Sequence, residues 1–168
     1  KPVSIFRTAR LNYNHWSRWD YSGRFIYQAF NLNSHATFKN NWQSGTGLTW
    51  AAFGISNNAL RGASAILRLP GLGHNLYVTS DFRKKAYANI TLSNFWGFKN
   101  LMRVNEVGVS VSFQPMDALK ILLSGNYSYY SRRQDQFVSN VNYNNTTRSI
   151  VGEVKQKTLR FTGRLSYI

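Results

Sequence analysis

The sequence predicts an all-β fold, an antiparallel up-and-down transmembrane β-barrel or a segment of a larger one, and three observations lead there. Several stretches, clearest between Thr158 and Ile168, place apolar and polar residues in strict two-residue alternation, a period that only a strand sorts onto two faces. Helix signals are almost missing: apolar residues do not recur at three and four, and no apolar run approaches the roughly 20 residues of a membrane helix. Aromatic residues make up 15% of the chain, with Tyr 10, Phe 11 and Trp 5, which exceeds the needs of a small core and suits a membrane interface.

Taken in order, strands are expected near 3–13, 20–30, 32–39, 42–53, 63–69, 75–83, 86–95, 103–114, 118–130 and 153–168. Asn40-Asn41 reads as a tight turn between Phe38 and Trp42, and Pro115-Met116-Asp117 as another. Within 103–114, Val107, Val109, Val111 and Phe113 oppose Glu106, Ser110 and Ser112. Within 118–130, Leu119, Ile121, Leu123, Tyr127 and Tyr129 oppose Lys120, Ser124, Asn126 and Ser128. Ser131 to Thr147, rich in Asn, Ser and Arg, reads as the longest polar loop. In the last strand Leu159, Phe161, Leu165 and Tyr167 oppose Arg160, Thr162, Arg164 and Ser166. The set Val109, Val111, Phe113, Leu119, Ile121, Leu123, Leu159, Phe161, Leu165 and Tyr167 is therefore expected to face lipid.

In outer-membrane barrels short turns face the periplasm and long loops face outside. Taking 115–117 as periplasmic puts 131–147 and 96–101 outside and Arg83 to Lys85 in the periplasm. It also puts the loop at 54–62 on the short-turn side, against its length, so a strand around 54–75 is false or a hairpin there is irregular. Residues 1–168 read as part of one outer-membrane β-barrel domain with no internal boundary. Lys1 to Arg10 lacks the apolar stretch of a signal peptide and no initiator methionine is present, so the chain is expected to begin inside a longer one.

The chemistry of a reaction centre is not visible. There is no cysteine, and His15, His35 and His74 are scattered without a Gly-x-Ser-x-Gly elbow. The acids Asp20, Asp81, Glu106, Asp117, Asp135 and Glu153 stand apart from one another. Gly45-Thr46-Gly47 and Gly71-Leu72-Gly73 lack the third glycine of a dinucleotide fingerprint and read as a strand glycine and a turn glycine. No catalytic residue, metal or cofactor is assigned.

Charge is the unusual property: Lys+Arg 21 against Asp+Glu 6, a net +15. The densest cluster is the turn Asp81, Arg83, Lys84 and Lys85. Lys120, Arg160 and Arg164 lie opposite the apolar faces of their strands. They are solvated charges, cations lining a water-filled lumen that favours anions, or rim groups neutralising anionic head groups such as those of lipopolysaccharide.

Four segments stand out in order and spacing: Phe38 to Trp42; Asn58 to Gly62 with Arg68-Leu69-Pro70; Ser80 to Lys85; and Gln156 to Tyr167. Together they resemble the C-terminal region of an uncharacterised family of large Gram-negative outer-membrane proteins. Members of that family carry an N-terminal domain resembling family 9 carbohydrate-binding modules and a C-terminal β-barrel of unassigned function. The resemblance implies a bacterial outer-membrane address and a barrel that continues into further strands.

The leading expectation is a segment of an outer-membrane β-barrel acting as a pore, transporter or translocation scaffold, without catalysis. Its partners would be outer-membrane lipid and lipopolysaccharide, and the remaining barrel strands or another protein chain, with no nucleic acid. The rival is a soluble basic β-sandwich or barrel binding nucleic acid or an acidic polysaccharide, which would need aromatics and cations on one surface. In this sequence they alternate onto opposite faces.

Overall fold

The computed structural model describes residues 4–134 and 136–167. Val3 and Ile168, outer ends of the first and last expected strands, and the acid Asp135 lie outside the described residues. In chain order the strands are β1 (Phe6–Trp19), β2 (Phe25–Phe38), β3 (Gln43–Ser56), β4 (Ile66–Arg68), β5 (Gly71–Thr79), β6 (Ala86–Gly97), β7 (Met102–Met116), β8 (Leu119–Arg133), β9 (Gln136–Tyr143), β10 (Thr146–Gly152) and β11 (Gln156–Tyr167). One antiparallel sheet runs β1-β2-β3-β5-β6-β7-β8-β11, with β4 hung on β3, while β9 and β10 form a separate hairpin. Among the described residues no helix is long and apolar enough to cross a membrane. The all-β, antiparallel, up-and-down expectation holds. Closure does not occur within these strands, because β1 and β11 each have one neighbour in the sheet and do not pair with each other.

Several expected boundaries change. The strands expected at 20–30 and 32–39 are one strand, β2, because Asn31 and Asn33 spend their side-chain hydrogen bonds across the sheet instead of bending the chain. The strand expected at 63–69 shrinks to β4, which folds back onto Gly54, Ile55 and Ser56, so β3 pairs directly with β5. The 57–70 connection therefore joins 20–24, 98–101 and 134–155 at one end of the sheet, leaving 39–42, 80–85 and 117–118 at the other. The conflict between loop length and sidedness disappears with the false strand.

Pro115 and Met116 belong to β7, not to a turn: a register shift between Phe113 and Met116 absorbs the proline, which has no N–H for a ladder. The polar stretch 131–147 is no loop either. Most of it builds the β9–β10 hairpin, turned at Asn144 and Asn145, both with positive φ, and laced by Asn142–Thr147 and Asn140–Ser149 bonds of 2.8 Å. Gly71, expected in a turn, opens β5, where its missing Cβ leaves room for the Phe95 ring. Asn40-Asn41 does turn the chain, with Asn41 at φ 65 and the Phe38 N–H donating to the Trp42 carbonyl at 2.8 Å.

Register partners in antiparallel strands point to the same side, so the pairing divides the sheet into two faces. One face carries Leu32, Leu48, Leu76, Ile90, Val109, Leu123 and Phe161; the other carries Asn31, Asn33, Thr49, Ser110, Ser112, Ser124 and Thr162. Among the described residues the elements pack edge to edge and no second layer lies against either face. The polar face is nevertheless the enclosed one. Ser112 is 2% exposed and Asn31 8%, whereas Leu48 is 50%, Leu123 58% and Phe161 76% exposed. A sheet curled towards its polar side crowds that face and splays the apolar one.

Candidate functional site

The enclosed face is held together by amides. Asn12 Nδ2 donates to Asn33 Oδ1 at 3.0 Å and Asn14 Nδ2 to Asn31 Oδ1 at 3.2 Å, joining β1 to β2. Asn31 Nδ2 reaches the Leu48 carbonyl at 3.1 Å and Thr49 Oγ1 at 2.9 Å, joining β2 to β3. His35 bonds Asn33 and the Tyr77 hydroxyl, each at 3.0 Å, extending the network to β5. Gly47 makes the room: a Cβ there would sit 2.5 Å from Asn75 Oδ1. Sequence reasoning missed this ladder, although Asn12 and Asn14, then Asn31 and Asn33, repeat the two-residue period that announces it.

The cations of the last strands separate into two places. Lys120 and Arg164 line one hollow of about 350 Å³ with Ser166, Gln114 and Asp117 at the short-turn end. Ser166 is the register partner of Lys120, and Arg164 sits two residues along on the same polar face. Arg160 shares the face but lies opposite Asn126, outside the hollow. Among the described residues none of the three makes an ion pair. Leu119, Ile121, Leu123, Leu159, Leu165 and Tyr167 occupy the other face together, as do Val109, Val111 and Phe113.

The basic turn 80–85 is a fastening. Asp81 accepts from Arg83 Nε and Nη2, both at 2.9 Å, from the Arg83 backbone N–H at 3.1 Å and from Asn41 Nδ2 at 3.4 Å. These bonds, the Arg83 side chain first, hold its carboxyl well below the usual carboxylate range and push the Arg83 guanidinium up. Because Asn41 belongs to the neighbouring turn, Asp81 ties two hairpins together. Lys84 and Lys85 stay exposed. At the opposite end Asp20, which sequence reasoning passed over, accepts Ser22 Oγ at 2.6 Å and the Arg24 N–H and Nε at 3.0 Å, lowering its pKa to about 2.

That opposite end is roofed by its connections. Arg24 donates to Asn57 at 3.0 Å, the Arg61 guanidinium lies 5.7 Å over the Phe137 ring, and the Gln134 N–H donates to the Leu101 carbonyl at 3.2 Å. Beneath lies a hollow of about 900 Å³ whose walls include Phe95, Ile66, Leu101, Met102 and Arg18.

Fold and surface thus define a class: a single-layer antiparallel sheet with an apolar band on one face and an enclosed, hydrogen-bonded polar face. The chain belongs to the family described as "Domain of unknown function (DUF5916)", whose model matches residues 1–168. No curated protein and no solved structure matches it.

Proposed function

We propose that the chain is a sector of a bacterial outer-membrane β-barrel acting as a pore, transporter or translocation scaffold, and that it is not an enzyme. One observation carries the reading: the apolar band slants across the hydrogen-bonded rows by the amount that tilted strands in a bilayer require. The row through Leu48 on β3 continues through His74, Asn94, Asn105 and Tyr129 to Lys157 on β11. The band's centre leaves that row. It lies at Ile90 and Leu92 on β6, at Val109 on β7, four residues from Asn105, at Leu123 on β8, six from Tyr129, and between Phe161 and Leu165 on β11.

A level plane crossing strands about 4.8 Å apart and tilted about 35–45° slips by about 1 to 1.5 residues per strand, or about five to seven over five steps. From Lys157 the β11 centre has slipped by about six. Strands of 12–15 residues in β6, β7, β8 and β11 have the length to cross at that tilt. The apolar face is the splayed one, the inverse of a water-soluble barrel, and a soluble sandwich would need a second layer, which is not found among the described residues.

In this reading the short turns at 39–42, 80–85 and 117–118 face the periplasm and the roofed end faces outside, against lipopolysaccharide. The free edges of β1 and β11 pair with remaining barrel strands or another chain, because unpaired backbone groups are costly in lipid. Extraction of membranes tests it. Release of the protein by detergent but not by high salt is expected, and release by salt alone would overturn the proposal.

A further inference from the structure

Lys120 and Arg164, both on the polar face, share a hollow of about 350 Å³ with Ser166, the register partner of Lys120. Resting on the barrel reading, we infer that they form an oxyanion-binding station at the short-turn mouth of the lumen, taking small solutes that bear a phosphate or carboxylate group.

Chemistry and placement agree. A guanidinium presents a planar fork to two oxygens of an oxyanion, and an ammonium beside it adds a mobile point charge. Among the described residues neither side chain has an ion pair that would consume it. Among the described residues lining the hollow the acid is Asp117, which leaves two positive charges against one negative. The Gln114 N–H donates to the Lys85 carbonyl at 2.7 Å, which brings the exposed Lys84-Lys85 pair to the same rim and adds positive potential. Lipid head groups are excluded as the source of the anion, because both cations sit on the face opposite Ile121, Leu123 and Leu165. Arg160 provides an internal control: it has the same strand, face and charge, yet it lies outside the hollow.

The test is calorimetric titration of inorganic phosphate, then of acetate, into the full chain in a non-ionic detergent. Saturable phosphate binding is expected, weakened about tenfold or more in the double variant Lys120→Gln with Arg164→Gln and by less than about twofold in Arg160→Gln. Arg164→Lys, which keeps the charge and removes the fork, should fall between and guards against misfolding of the double variant. Acetate competing with phosphate identifies a carboxylate-tolerant station, and its failure to compete identifies a phosphate station. No saturation, or equal loss in Arg160→Gln and the double variant, overturns the inference. Planar-bilayer recording separates the two proposals. Conductance indifferent to phosphate leaves the barrel and removes the station, whereas binding that depends on Lys120 and Arg164 in a protein that never inserts keeps the station and removes the barrel.

Discussion

Val109 and Ser110 are neighbours on β7 with opposite surroundings: Val109 lies between Ile90 and Gly125, Ser110 between Asn89 and Ser124. On the first side the side chains are large, apolar and splayed; on the second they are small or amide-bearing and bonded to one another. The two faces share a backbone but are stabilised differently. The apolar face contributes only when something apolar covers it, while the polar face of β1, β2, β3 and β5 carries its own side-chain ladder. Single steps along the chain should therefore change the response to the same substitution.

The largest contrast is charge insertion. Val109→Arg should destabilise the protein in lipid by about 2–4 kcal/mol, as expected for arginine near a bilayer midplane, and Phe161→Arg should act in the same direction. Ser110→Arg, one residue away on the enclosed face, should cost far less. Thermal or urea unfolding in liposomes measures the difference, and equal costs at 109 and 110 would break the distinction between the faces.

A second contrast lies between Asn31 and Leu32. Asn31→Ala removes bonds to Asn14, Asn33, Thr49 and the Leu48 carbonyl, and should cost about 1–3 kcal/mol. Leu32→Ala, on the exposed apolar face, leaves no closed cavity and should cost less. The same denaturation series reads both. If Leu32→Ala proves the more damaging, the amide ladder is not what holds β1 to β3.

How far these faces could be read from the sequence depended on what wrote the alternation. In β7, β8 and β11 aliphatic and aromatic residues mark every second position, and the strands were legible to within a few residues. In β2 the alternation passes through Asn31 and Asn33, turn-forming residues in isolation, so one strand looked like two. Ile66-Leu67-Arg68 has strand composition but only the last three residues of β3 to pair with. The β9–β10 hairpin is written in Asn, Ser and Thr, whose ladder is visible only after pairing. The Lys120–Arg164 neighbourhood depends on the β8–β11 register, which no local pattern specifies, whereas Asp81 with Arg83 was legible because its fastening is local.

A third contrast separates the sheet from its turns. The hydrogen-bonded row Thr37, Gln43, Thr79, Asn89, Ser110, Ser124 and Thr162 carries no charge, while the turns depend on carboxylates. Asp20 has its pKa lowered from 3.8 to about 2 and Asp81 is depressed further, so their contribution is complete above the ordinary carboxylate range. It is lost as pH falls through the depressed values, beginning below pH 3.8 and extending past about 2. Asp81→Asn should flatten the acid limb of a stability–pH curve, with little change between pH 6 and 5 in its slope. An unchanged acid limb would mean that the Asp81–Arg83–Asn41 tie contributes nothing to folding.

The smallest effect concerns what passes along the polar face, where fixed charge acts on ions without altering the fold. Lys120, Arg160 and Arg164 face Glu106 as the acid on the same face of β7, β8 and β11, so the lumen of the proposed pore should prefer anions. Replacing all three by glutamine should weaken the preference. Charges of one sign raise the local concentration of counter-ions, and added salt should screen the effect with a Debye length of about 10 Å at 0.1 M. Replacing Leu123 or Leu165 by glutamine, on the opposite face, should leave selectivity unaltered while lowering stability, which ties the measurement back to the two faces. Reversal potentials across a salt gradient in planar bilayers read both arms. A conducting protein that prefers cations, or one whose selectivity responds to Leu123 and not to the three cations, would place the conducting surface elsewhere and leave these charges as rim groups.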